Sequence, residues 1–131
     1  MLLAIGMFVF EVPTLAYDEL QRRRDWRHAR TNRIGARDAS QFVGPGEDSI
    51  SLSGTVYSEI ADGRASLDTL CDMAGSGNSW PLVDAGGRVW GSFIITGIDE
   101  RQKYFLPDGT PRRIDFGIDL ALVDDAPAAD G

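Results

Sequence analysis

Few residues in this chain of 131 could carry bond-making chemistry: one histidine, His28, one cysteine, Cys71, and aspartates gathered toward the C-terminus. A nucleophile needs a base within hydrogen-bond reach and a third group to orient that base. His28 stands among arginines with no evident orienting partner. Cys71 falls in a run where Leu67, Leu70, Cys71 and Ala74 recur at helical spacing, which predicts a buried, unreactive thiol. Asp108, Asp115, Asp119, Asp124 and Asp125 are spread over a turn, a strand and a tail, without the fixed loop spacing that calcium requires. Gly44-Pro45-Gly46 lacks the lysine and serine of a phosphate-binding loop, and Gly86-Gly87 precedes a strand where a dinucleotide fingerprint opens a helix. No catalytic residue, cofactor or metal ligand is read from these residues.

What remains chemically distinctive is charge. Residues 17 to 37 hold seven arginines against Asp18, Glu19 and Asp25, a net of +4. Residues 38 to 131 carry six basic and sixteen acidic side chains, a net of −10; with Glu11 the whole chain stands at −7. A chain so divided can attract a copy of itself head to side. An arginine strand interleaved with Trp26 and His28 could also track phosphates and stack bases. The overall negative charge opposes that, because a polyanion is repelled unless the acidic faces turn well away from it.

The elements that must position these residues are mostly strands. Length and an ordinary balance of 43% hydrophobic and 25% charged residues predict one soluble domain over residues 1–123. Residues 124–131, only Asp, Ala, Pro and Gly, are expected to form a disordered tail. Leu2 to Phe10 is apolar on both faces and predicts a single central strand ending at Pro13; it is too short for a membrane span and lacks a cleavage signal. From Leu20 to His28 alternation places Leu20, Arg22, Arg24, Trp26 and His28 on one face of a strand; a helix over 14–24 is the rival reading, which leaves Trp26 and His28 without a pattern. Gly44-Pro45-Gly46 predicts a turn before a half-buried strand carrying Ile50, Leu52 and Val56. Ser66 is the expected N-cap of one short helix ending at Gly75. Turns at 84–87 and 107–109 punctuate a C-terminal meander, and the strand from Arg113 alternates cleanly through Ile114, Phe116, Ile118, Leu120 and Leu122. Its other face carries Asp115 and Asp119. The expected class is mainly β, of the α+β kind, with one short helix covering the sheet.

Several words of the sequence occur in order at a family's spacing. Met7-Phe-Val-Phe10, Trp26-Arg-His-Ala29, Arg33-Ile-Gly-Ala-Arg37, Gln41-Phe-Val-Gly-Pro-Gly46, Ile50-Ser-Leu-Ser-Gly54, Gly63-Arg-Ala-Ser-Leu67 and Arg113-Ile-Asp-Phe116 closely resemble the GpU tail-protein family of temperate contractile-tailed phages. The resemblance runs from about Met1 to Val123. It implies a virion structural protein needed for tail assembly, found also in prophages and tail-derived bacteriocins, with no catalytic residues. It further implies a tail-tube-like β-sandwich or partly open barrel with one short covering helix, and assembly into rings, usually of six, in the virion tail built in the host cytoplasm.

By family analogy the expected place is the baseplate end, as an adaptor between hub and tail tube; a terminator-like ring at the head end is the alternative. A small arginine-rich nucleic-acid-binding domain is a third reading, from another class. Expected partners are sister copies and other tail proteins (hub, tube, tape measure or a LysM-type adaptor), with DNA only as cargo in the bore and no membrane. A cyclic ring joins two different patches on each copy, so a basic strand facing an acidic one suits it. The candidate interface residues are Arg22, Arg24, Trp26, Arg27, His28, Arg30 and Arg33 on one side, and Asp115 and Asp119 on the other.

Overall fold

The alternation that begins at Ile114 marks the centre of the molecule. In a computed structural model, which describes residues 2–11, 14–31, 39–59 and 61–125, Ile114, Phe116, Ile118 and Leu120 are buried on one face of a long strand. In chain order the elements are β1 (Leu3–Ile5), β2 (Phe8–Phe10), β3 (Tyr17–Thr31), β4 (Ala39–Tyr57), α1 (Gly63–Gly75), β5 (Trp80–Asp84), β6 (Val89–Phe105) and β7 (Pro111–Asp125). All seven strands join one antiparallel sheet in the order β2-β1-β5-β6-β7-β4-β3. The mainly β chain with one short helix is the class the sequence predicts.

The sheet is open but strongly curled. Phe10 of β2 and Tyr17 of β3, from opposite ends of the strand order, stack edge to face with ring centroids 6.0 Å apart. Leu3, Ile5 and Phe10 therefore share one core with Ile50, Leu52, Ile118 and Leu120. The helix lies over this core through Leu67 and Leu70. Burial of such side chains contributes about 1.5–3 kcal/mol each, which is what holds the layers together.

Three boundaries differ from the sequence expectation. The apolar opening is a hairpin and not one central strand: Ile5 pairs with Phe8 across a two-residue turn, and β2 is an edge of the sheet. Gly6 makes this possible, with φ of 58° and a backbone so close to Trp80 that a Cβ would lie 2.7 Å from its ring. Gly44-Pro45-Gly46 is not a turn; β4 runs through it, pairing Gly44 with Arg27 and Pro45 with Trp26. Proline is tolerated because this half of β4 has a partner strand on one side only. The helix begins before Ser66: Asp62 is the N-cap, its carboxylate accepting from the Ala65 amide at 3.1 Å, and Ser66 is buried inside the first turns. Pro13 and residues 126–131 lie outside the described residues. No helix among the described residues is long and apolar enough to cross a membrane.

Candidate interaction surface

The arginine stretch forms strand β3, and the rival helix is not formed. Its partner β4 pairs with β7 only over Ser49–Tyr57, whereas the pairing of β3 with β4 continues to Thr31 and Ala39. Residues 24–31 and 39–48 thus make a two-stranded ribbon that runs on past the rest of the sheet. An isolated two-stranded ribbon is marginal in water. This one nevertheless exposes Trp26 (57%), Phe42 (59%) and Val43 (63%).

The base of this arm is locked by charge. Arg22, Arg24 and Trp26 line one cleft together with Pro45, Trp90 and Leu122, and Asp25, which alternation assigns to the other face, lines it too; its volume is about 610 Å³. The Arg22 Nε donates to Asp48 Oδ1 at 2.9 Å and a second guanidinium nitrogen reaches Oδ2, with both side chains less than a fifth exposed. The same guanidinium lies 5.1 Å from the centre of the Trp90 ring. Trp90 is held in turn: its Nε1 donates to Asp84 at 3.1 Å, the first cause of a lowered Asp84 pKa, ahead of the Arg88 amide. Beyond this anchor a β-bulge shifts the register between Arg24 and Trp26. The Asp25 carboxylate accepts from the Glu47 amide there at 2.7 Å, and a Cβ at Gly46 would fall 1.7 Å from that oxygen, so glycine is needed for the approach.

Farther out the charges are looser. Arg24 reaches Asp48 only at 3.6 Å, and Arg27 is exposed opposite Gly44. His28 meets the Phe42 ring edge to face at 5.5 Å and is an exposed partner of that aromatic, not a base in a catalytic group. Arg30 pairs with Ser40 in the backbone ladder, and Arg33 lies outside the described residues.

The two candidate aspartates on β7 differ from each other, and Asp119 lines a cleft with Glu47 and Asp48 at the base of the arm. Asp115 is satisfied within its own sheet, accepting from Thr55 Oγ1 at 2.8 Å, Arg113 Nε at 2.9 Å and Lys103 Nζ at 3.1 Å. These contacts, the Thr55 hydroxyl first, hold its carboxyl at about 2. Asp119 accepts from Ser51 Oγ at 2.8 Å and is exposed.

Cys71 is exposed on α1, contrary to the burial expected from helical spacing. The helix turns Leu67 and Leu70 inward, which leaves position 71 on its outer side. Partial desolvation, followed by Glu100, Asp68 and Asp72, raises the thiol pKa, which keeps it protonated and a poor nucleophile. Phe42, Val43 and this acidic group were not legible as surface features. The one available signal was an adjacent apolar pair, Phe42-Val43, immediately before the turn expected at Gly44-Pro45-Gly46. Among the described residues no group of three or more His, Cys, Asp or Glu side chains could hold a metal ion.

With this geometry in hand, comparison with known proteins defines the class: the chain is a structural protein of phage tails. It belongs to the family described as Phage P2 GpU, whose model matches residues 6–125. It is also similar to a protein of Halomonas phage phiHAP-1 described as a probable tape measure protein, with 33% identity over 125 residues. That stretch covers 94% of this chain and 14% of the relative, so the chain spans about one-seventh of the relative's length.

Proposed function

We propose that this chain is a ring-forming adaptor of a contractile tail, placed at the baseplate end between the hub and the first tube ring, with six copies the number the family resemblance implies. The observation that carries the reading is the arm: a ribbon extended beyond the sheet that bears Arg27 with the exposed aromatics Trp26 and Phe42, which a lone copy leaves in water. A second feature supports it. Besides the outer edge of β3, the side of β6 from Ile94 onward has no partner strand among the described residues, because β5 pairs only with its first residues. Unpaired edges of this length invite strands from neighbours, and ring closure removes them.

The similarity to part of a tape measure protein supports a position beside that component, since segments joined in one chain are held at high effective concentration. Negative charge over most of the chain suits a ring whose bore passes DNA without holding it. Assembly in the host cytoplasm belongs to the same reading.

Charge reversal tests it. Arg24→Glu with Arg27→Glu should leave the monomer folded, because both side chains are exposed and Arg24 reaches Asp48 only at 3.6 Å, outside the part-buried, hydrogen-bonded Arg22–Asp48 pair. The expected result is loss of the ring in sedimentation and loss of tails in complementation. Normal particles from this variant would remove the arm from the assembly contacts.

A further inference from the structure

We propose that the arm of one copy docks on the acidic outer face of α1 and β6 of the next copy, around Asp68, Asp72 and Glu100. This inference rests on the ring reading above and names the two patches that join.

Charge complementarity selects the acceptor. Asp68 and Asp72 are one helical turn apart on α1, on either side of Cys71 in sequence, and α1 packs against β6, whose Glu100 joins them in raising the thiol pKa. All three carboxylates are exposed, and none takes part in an ion pair among the described residues. The face around Asp115 offers less, because Lys103 and Arg113 already neutralise that carboxylate and bring positive charge with them. On the donor side Arg27 is exposed and makes no ion pair among the described residues, and Trp26 and Phe42 are exposed on the same arm.

A copy cannot satisfy itself. Glu100 pairs with Phe116, which pairs with Gly54, whereas Arg27 pairs with Gly44 at the other end of β4. Ten residues of strand separate those points by about 30 Å. That is several Debye lengths at physiological salt, so the charges meet only between copies. Two different patches at opposite ends of one strand make a heterologous contact, the kind that closes into a ring.

Cys71 makes the contact directly testable, because it is the sole cysteine of the sequence and sits among the acidic residues. Arg27→Cys is introduced and the purified protein is oxidised at concentrations where it is oligomeric. The expected result is a ladder of disulfide-linked multimers on a non-reducing gel. Adding Cys71→Ser should abolish the ladder, and Ser51→Cys, on the opposite face of the sheet, should not produce one. A ring that forms without the Arg27→Cys ladder, or that gives an equal ladder from Ser51→Cys, overturns this contact and leaves the ring reading standing. A protein that stays monomeric at all concentrations overturns both. As a second readout, Asp72→Lys and Arg27→Glu should each weaken self-association at least tenfold, and the double variant should recover most of it. Failure of the double variant to recover, with both single variants folded, also overturns the pairing.

Discussion

At the scale of single residues, Asp115 separates what holds the fold from what is free to recognise a partner. Its folded carboxyl titrates at about 2 against an ordinary 3.8, chiefly because Thr55, Arg113 and Lys103 all donate to it. A depressed carboxylate pKa stabilises the folded state above the unfolded value, and the contribution is lost as pH falls from about 4 through about 2. Thermal midpoints measured between pH 2 and 5 should therefore fall more steeply for the native chain than for Asp115→Asn. At neutral pH the variant should be the less stable of the two, since three donors would lose their charged acceptor. Parallel pH profiles would show that these hydrogen bonds do not form in solution. Among the described residues, Asp119 and the carboxylates around Cys71 are not tied down by cations in this way, and the proposed contact draws on the latter.

Among the elements, the arm is the one whose side chains the core does not need. Trp26→Ala with Phe42→Ala removes two large aromatic side chains that are more than half exposed, so the monomer should lose at most about 0.5 kcal/mol, the usual range for surface sites. Self-association should suffer much more, because aromatic anchors at the centre of an interface commonly cost 2 kcal/mol or more on truncation. Denaturant unfolding and sedimentation equilibrium of the same variant compare the two; a large drop in unfolding stability with unchanged association would make the aromatics structural. How far each element could be read from sequence follows the same division. β7 was legible because its period of two coincides with burial at Ile114, Phe116, Ile118 and Leu120. The first hairpin was not, since a segment apolar on both faces shows no change of period where the chain reverses, and Gly6 was the sole mark of the turn. The path through Gly44-Pro45-Gly46 was hidden for the opposite reason. Turn residues there serve a bulged strand whose other side has no partner, a tertiary circumstance that local composition does not encode. Asp62 and Ser66 are both competent caps, and the helix extends to the earlier one. Of the site, the shared side of Arg22 and Arg24 was legible by alternation, the bulge that brings Asp25 into the same cleft was not, and the exposed Cys71 and its carboxylates depended on which side of α1 meets the core.

For the whole molecule the question is which polyanion, if any, competes for the arginines. The chain at −7 carries Arg24, Arg27 and Arg30 on the projecting ribbon, and Arg22 at its base is already paired to Asp48, so the cations left there to act outward are few. If they bind the acidic face of another copy, raising salt from 0.1 to 1 M shortens the Debye length from about 10 to about 3 Å and should shift the ring toward monomers. The same increase should leave Arg24→Glu with Arg27→Glu unchanged, because that variant has no attraction to screen. If instead the arm grips DNA, the logarithm of affinity should fall with the logarithm of salt at a slope of about −0.9 for each phosphate neutralised, roughly −4 for four arginines. The expected outcome is salt-sensitive sedimentation with no mobility shift of duplex DNA at 0.15 M. A DNA complex with the steep slope, formed by a monomer, would assign the ribbon to phosphates and end the ring reading. The acidic remainder of the chain argues for the first result, since bringing it within one Debye length of a duplex costs repulsion that a few exposed arginines must overcome.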